Sequence, residues 1–164
     1  MNVYCDGASN KFTKFSGIGV VWFDIHQFGN PLDGKTLKPN QKPVDVLSEK
    51  IDYKLCKNGC YATNNEAEYM SLIRAMEHSV ENEMENINVF MDSKLVVNQV
   101  NGSWKINFPH LQLLKDQVDT LRQSIGLRVT HVRREYNTHA DKASKDCYKT
   151  QSKQTKLNLE EFKQ

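Results

Sequence analysis

The sequence predicts an α/β fold in which a mixed five-stranded sheet carries helices on both faces. Three observations predict it. Strand-like segments come first in the chain, strands then alternate with helices, and the helical segments carry apolar residues three or four positions apart. The predicted order of elements is β-β-β-α-β-α-α-β-α. Consecutive strands before the alternation indicate a mixed sheet.

The first three strands are predicted from local apolar patterns. Met1–Asp6 alternates around two apolar side chains, and Ser16–Asp24 is an apolar, β-branched run that indicates a strand buried on both faces. Lys50–Leu55 alternates again and is predicted as the third strand. Residues 25–48 between the second and third strands include three of the four prolines. This stretch is therefore predicted as a long insertion.

The later segments alternate between helix and strand. Thr63, Asn64 and Asn65 can cap the first helix, whose apolar stripe continues to about Val80. Asn137 is predicted to cap the last helix, which runs to about Tyr148. The remaining predicted elements are a strand at Ile87–Met91, a short helix at Ser93–Val100, a helix from Pro109 to Ile125 and a strand at Leu127–Arg133.

Length and composition limit the classes of protein to which the chain can belong. The 164 residues suffice for one domain, and 38% hydrophobic with 26% charged residues exclude a broadly disordered chain. The net charge of +2 neither indicates nor excludes a nucleic-acid partner. No apolar stretch approaches the roughly 20 residues of a membrane span, and no signal peptide is visible. We expect a cytoplasmic protein with one folded domain at 1–148, a polar tail at 149–164 and no membrane partner.

Four carboxylates are predicted at the ends of elements. Asp6 ends the first strand, Glu68 lies in the first turns of the first helix, Asp92 ends the fourth strand and Asp141 lies near the start of the last helix. Because sites in open α/β sheets assemble at the carboxyl ends of strands, we expect these side chains to meet. Four adjacent acids repel one another unless cations lie between them, and oxygen ligands favour Mg²⁺ or Mn²⁺. Two such ions about 3.5–4 Å apart suit in-line displacement at phosphorus.

Each acid also has a structural interpretation of its own. A turn at Asp6, the helix dipole at Glu68, an N-cap at Asp92 and an ion pair between Asp141 and Lys145 would each account for one of them. These separate interpretations do not explain why all four acids fall where one sheet edge would gather them.

Four motifs contain these acids. They are YCDGAS at Tyr4–Ser9, TNNEAEY at Thr63–Tyr69, MDSKLVVNQVNGSW at Met91–Trp104 and HVRREYNTHAD at His131–Asp141. Together they resemble the motif series of the type 1 ribonucleases H, and most of all the short archaeal and bacterial enzymes of that family. The resemblance covers almost the whole chain outside the insertion and the tail. It implies an RNase H-like fold in which the catalytic, metal-binding residues are Asp6, Glu68, Asp92 and Asp141.

The resemblance also implies a reaction. It is the hydrolysis of the RNA strand of an RNA/DNA hybrid with two Mg²⁺ ions, or Mn²⁺ as a substitute, leaving 5′-phosphate and 3′-hydroxyl ends. No small-molecule cofactor is expected, and a monomer is expected. Glu66 falls on another face of the helix than Glu68 and is not a predicted ligand. Contacts with the 2′-hydroxyls that distinguish RNA from DNA are implied for Gly7, Ser9, Asn64, Asn65, Ser93 and Lys94.

The chain departs from longer members of this family in two places. Only Trp104–Phe108 lies between the second and third helices, so a basic handle is absent. The loop before Asp141 has no residue that matches the family's mobile histidine, and Arg134 or Glu135 is the candidate for an auxiliary role in product release. His139 matches no catalytic position and is expected at an exposed helix start. A non-catalytic hybrid-binding module and a nuclease for another nucleic-acid substrate therefore remain alternatives.

Overall fold

The predicted α/β class is confirmed over the residues that the computed structural model describes, which are 1–24, 42–52, 56–59 and 61–148. The sheet is formed by β1 (Asn2–Asn10), β2 (Phe15–Phe23), β3 (Asp45–Lys50), β4 (Asn86–Met91) and β5 (Gly126–His131). These strands lie in the order β3-β2-β1-β4-β5. β2 pairs antiparallel with both β1 and β3, whereas β1, β4 and β5 run parallel, so the sheet is mixed as predicted.

Four helices cover the sheet in the described part of the chain. They are α1 (Asn64–Glu81), α2 (Lys94–Val100), α3 (Pro109–Leu121) and α4, which occupies residues 138–148 after a 3-10 turn at Arg134–Tyr136. Three predicted helix starts are confirmed. Thr63 caps α1 in a reciprocal capping box with Glu66, Ser93 caps α2, and α3 begins at Pro109. Among the described residues, no helix is both long and apolar enough to cross a bilayer.

Alternate side chains of β1 pack into two separate cores, one on each face of the sheet. Val3 and Cys5 lie in the larger core with side chains from α1, α2 and α3, whereas Tyr4 lies in the smaller core with Ala140 and Ala143 of α4. Helices therefore cover both faces, as predicted. β2 is buried over nearly its whole length, which explains why its sequence is a continuous apolar run.

The prediction for the third strand is wrong in position. β3 is formed by Asp45–Lys50 and not by Lys50–Leu55, and it pairs with β2 along its whole length. β3 is an edge strand in which only Leu47 is buried, so its sequence lacks the apolar alternation that marks a half-buried strand. Ile51 and Asp52 lie beyond its end, and residues 53–55 fall outside the described part of the chain.

The expected insertion and tail fall largely outside the described residues, which include neither 25–41 nor 149–164. Residues 45–48 of the expected insertion belong to β3. The boundaries of the insertion, the domain and the tail therefore stay predictions.

Three glycines let helices lie directly on the backbone of strands. A Cβ at Gly7 of β1 would lie 2.3 Å from the carbonyl carbon and oxygen of Ala67 in α1. A Cβ at Gly19 of β2 would lie 2.2 Å from the carbonyl oxygen of Ala140 in α4, and Gly17 approaches α4 in the same way. The contact at Gly7 brings the next residue of α1, Glu68, against β1.

We expect Gly7→Ala to lower the free energy of unfolding by about 3 kcal/mol, because the added methyl group meets backbone atoms that move only if α1 moves. Gly102→Ala is the control. Gly102 has a φ of +79° with open space around it, so alanine there costs about 1 kcal/mol of left-handed strain. Urea unfolding of both variants measures the difference. Equal losses would contradict the close approach of α1 to β1.

Candidate metal centre

Three of the four predicted carboxylates meet at one end of the parallel strands. Asp6 lies inside β1, which continues to Asn10, so the prediction that it ends the first strand is wrong, whereas Asp92 directly follows β4. The parallel ladder between β1 and β4 ends at the register partners Cys5 and Met91, so the two acids extend side by side just beyond it. Glu68 comes from the first turns of α1, which the contact at Gly7 holds against β1. Oxygen atoms of Asp6, Glu68 and Asp92 all lie within 4.8 Å of one another.

Two of these three carboxylates, Asp6 and Glu68, have raised pKa values. Burial, followed by the charge of Asp92, raises the pKa of Asp6 from 3.8 to about 7. Burial and the charges of Asp6 and Asp92 likewise raise the pKa of Glu68. Within the described structure, Glu68 Oε2 is buried without a hydrogen-bond partner. Acids with raised pKa values and an unpaired buried oxygen form the arrangement that a bound cation would stabilise.

The three carboxylates line an open cleft of about 460 Å³. The other predicted site residues in the lining of this cleft are Gly7, Asn64, Asn65, Ser93, Arg134 and Asp141. Ser9 contacts the lining, because its Oγ donates a hydrogen bond of 2.7 Å to Asn64 Oδ1. Lys94 and Glu135 lie outside the lining, and Glu135 approaches Arg133 at 3.7 Å.

Asp141 lines the cleft near Asp6 but is not among the three acids whose oxygens all lie within 4.8 Å of one another. Its Oδ2 is 3.2 Å from Nζ of Lys145, one turn later in α4, and 50% of the Asp141 side chain is exposed. Asp141 also contributes to the raised pKa of Asp6, so the two acids are electrostatically linked. Thr138 and Lys145, which the sequence does not single out as site residues, line the cleft from the same helix.

Sequence reasoning assigns Asn137 only the role of a helix cap. In the structure its buried side chain donates from Nδ2 to the Cys5 carbonyl at 2.9 Å and to Asp92 Oδ2 at 3.0 Å. The sequence signal that could have pointed to a role of Asn137 at the site is its position four residues before Asp141 in the same motif.

Two polar residues near the acids make structural contacts away from the cleft. Glu66 is buried, and its carboxylate accepts hydrogen bonds from the backbone N–H groups of Thr63 and Lys57. His139 is partly buried, and its ring meets Phe23 edge-on with centroids 5.4 Å apart. The expectation that His139 is exposed is therefore wrong.

Known proteins are similar to this chain over its motif-bearing part. Residues 50–147 match the model of the reverse transcriptase-like family. The bifunctional protein Rv2228c of Mycobacterium tuberculosis is 39% identical over 87 residues, which are 52% of this chain and 24% of that protein. Ribonuclease HI of Halobacterium salinarum is 37% identical over 81 residues, which are 49% of this chain and 41% of that protein. The matched part thus spans less than half the length of either relative.

Solved structures agree over most of the chain. RNase H1 of Halobacterium salinarum superposes with a TM-score of 0.69 at 26% identity, covering 91% of this chain and 97% of that one. The N-terminal RNase H domain of Rv2228c gives a TM-score of 0.69 at 28% identity, covering 94% and 98%. LC11-RNase H1 in complex with an RNA/DNA hybrid gives a TM-score of 0.65 at 26% identity, covering 88% of this chain and 94% of that one. The chain has the RNase H fold and belongs to the reverse transcriptase-like family.

Proposed function

We propose that the chain is a ribonuclease H, a metal-dependent endonuclease that hydrolyses the RNA strand of RNA/DNA hybrids. The observation that carries this proposal is the group of three carboxylates within 4.8 Å of one another in an open cleft. Similarity to RNase H1 structures, one of which holds an RNA/DNA hybrid, supports it. The proposed enzyme acts as a monomer without a small-molecule cofactor and leaves 5′-phosphate and 3′-hydroxyl ends.

The proposed cofactor is a pair of Mg²⁺ ions, for which Mn²⁺ can substitute. Asp6, Glu68 and Asp92 offer only oxygen ligands, the type that these ions prefer, and Asp141 would complete the set. When bound, such ions lower the pKa of a water molecule and stabilise charge on the leaving oxygen. The three closely spaced ligands lie on β1, directly after β4 and on α1, and these elements fix their orientation more firmly than long loops would.

Polar groups beside the carboxylates fit an RNA strand. A ribose 2′-hydroxyl both donates and accepts hydrogen bonds, and it distinguishes RNA from DNA. Because Ser9 Oγ donates to Asn64 Oδ1, Asn64 keeps its Nδ2 group as a donor and Ser9 keeps oxygen lone pairs as acceptors. The further proposed contacts with the RNA strand are the Gly7 backbone, Asn65, Ser93 and Lys94.

Cations beside the acids fit the phosphate backbone. Arg134 and Lys145 line the same cleft as the three carboxylates, where their charges offset the repulsion between those acids and phosphate. In this proposal Arg134 or Glu135 also assists product release. Binding that depends on such cations weakens as the salt concentration rises.

A non-catalytic hybrid-binding module is a second candidate, favoured by the absence of a residue that matches the mobile histidine. A protein that only bound hybrids would gain from losing the three carboxylates, because they repel phosphate. Their retention favours the enzyme. A nuclease for another nucleic acid is a third candidate, and assays of hybrid, duplex RNA and duplex DNA side by side distinguish it from the first.

We expect the wild-type chain to cleave the RNA strand of a hybrid in Mg²⁺ or Mn²⁺, and Asp92→Asn to cleave it at least about 100-fold more slowly. The asparagine keeps the shape of the side chain but removes the charge, and metal-ion stabilisation of the transition state is worth several kcal/mol. Gel analysis of an end-labelled RNA strand measures both rates.

Asp119→Asn is the matched control for this experiment. It removes the same charge from a partly buried ion pair with Lys115 on α3, away from the cleft, and we expect it to retain wild-type cleavage. Full cleavage by Asp92→Asn would exclude the proposed site. Tight hybrid binding by the wild type without cleavage in either metal would favour the binding module.

The stability of the metal-free protein should fall with pH because of Asp6. Its pKa rises from 3.8 to about 7 on folding, so the folded state binds a proton that the unfolded state has already released. The resulting loss of stability is absent at pH values below the unfolded-state pKa of Asp6 and is complete above its folded-state pKa. Between these two pKa values the loss grows with pH, with a slope of at most about 1.4 kcal/mol per pH unit. We expect Asp6→Asn to gain stability relative to the wild type across this range.

Urea unfolding in EDTA at a series of pH values measures this gain. Asp119→Asn again serves as the control, and its difference from the wild type should stay flat. Added Mg²⁺ or Mn²⁺ should stabilise the wild type more than Asp6→Asn, because the cation offsets the charge that the variant lacks. A difference between Asp6→Asn and the wild type that does not change with pH would refute the electrostatic account.

A further inference from the structure

One buried asparagine bonds to three elements that carry the candidate ligands. Asn137 is 1% exposed and lies between the 3-10 turn and α4. Its Nδ2 group donates to the carbonyl of Cys5, next to Asp6 in β1, and to Oδ2 of Asp92 after β4. The main-chain carbonyl oxygen of Asn137 accepts a hydrogen bond of 3.1 Å from the backbone N–H of Asp141 in the first turn of α4.

These contacts fix which way the side-chain amide points. The Cys5 carbonyl can only accept, so the amide atom that faces it must be the NH₂ group. Both protons of Nδ2 are then used, one on the backbone of β1 and one on the carboxylate of Asp92. Oδ1 is left buried without a hydrogen-bond partner among the described residues.

Capping of α4 does not account for this arrangement. An N-cap side chain normally points its oxygen at the N–H groups of the first helical turn. Asn137 Oδ1 makes no such bond within the described structure, and the donating end of the amide is directed to the strands instead. Leaving Oδ1 buried and unpaired is unfavourable. The amide nevertheless adopts this orientation, so the bonds from Nδ2 to Cys5 and Asp92 are the contacts that determine it.

Asn137 lies where the pairing of two strands stops. The parallel ladder between β1 and β4 ends at the pair Cys5–Met91. Directly beyond that pair, the side-chain amide of Asn137 donates hydrogen bonds to the Cys5 carbonyl and to Asp92, which follows β4. One side chain thus joins α4 to both strands at the level of the acids.

We propose that Asn137 is a positioning residue that sets the metal-binding carboxylates, an inference that rests on the proposed function. The bond to Oδ2 fixes the rotation of the Asp92 carboxylate and leaves its other lone pairs for a cation. The side-chain bond to the Cys5 carbonyl sets the distance between β1 and the start of α4. Asn137 itself lies outside the lining of the cleft, so it acts through the ligands.

The variant Asn137→Ala tests this role. We expect the Mg²⁺ or Mn²⁺ concentration for half-maximal cleavage to rise about 10- to 100-fold, as is typical when the partner of a metal ligand is removed. The kcat at a fixed subsaturating metal concentration should fall, whereas KM for the hybrid should change little. A second readout needs no nucleic acid: the increase of Tm on adding either metal should shrink in the variant.

Asn101→Ala is the matched control, because Asn101 Nδ2 also donates to a strand carbonyl, that of Val129, at 3.0 Å. We expect this control to lose stability while keeping the wild-type metal dependence. If Asn137→Ala does not fold, Asn137→Ser takes its place. Serine starts a helix well, but its hydroxyl carries one proton and cannot donate to both acceptors.

Each outcome decides the proposal. An Asn137 variant that is merely less stable, with wild-type metal midpoints and kcat, overturns it. No change of Tm in the wild type on adding either metal also overturns it, because no cation would then be positioned. If the wild type binds metal but cleaves no hybrid, the proposed function fails. The Tm comparison of the Asn137 and Asn101 variants still decides the role of Asn137 in that case.

Discussion

The backbone of α1 rests on Gly7 of β1 with no side chain between them, and the group of three acids depends on this contact. A Cβ at Gly7 would lie 2.3 Å from the Ala67 carbonyl, so the helix lies as close to the strand as backbone atoms permit. The capping box of Thr63 and Glu66 fixes where α1 begins. Glu68 therefore cannot retreat from Asp6 unless the whole helix moves, and a close-packed interior resists such movement.

This packing forces like charges together against their mutual repulsion. The charges of these acids also act on Cys5. Burial, followed by the charges of Glu68 and Asp6, raises the pKa of its thiol. A thiol kept protonated in this way is a poor nucleophile and packs as a small apolar side chain. The acids themselves gain nothing in stability from their position. A fold that keeps a destabilising group in place through rigid backbone contacts is typical of a functional site.

The sequence predicts the acids better than it predicts their surroundings. Asp6 and Asp92 are found because each follows a buried apolar segment with a clear strand pattern, and the parallel pairing of β1 with β4 ends just before both acids. β3 is misplaced because an edge strand with a single buried side chain, Leu47, has almost no periodic signal. Asn137 is taken for a helix cap because its bonds to Cys5 and Asp92 join residues 132 and 45 positions away, and no local pattern records contacts of that range.

The fourth acid is held differently from the other three. Asp6, Glu68 and Asp92 are fixed by strand register and by backbone packing, whereas Asp141 extends from α4 and pairs with Lys145 at 3.2 Å, both side chains being at least half exposed. An exposed ion pair of this kind contributes about 1 kcal/mol or less, so Lys145 offers little resistance when a cation competes for Asp141. In the proposed metal site, the rigid group of three acids would therefore define where a first cation binds. The position of α4, which Asn137 sets against both strands, determines whether Asp141 can reach it.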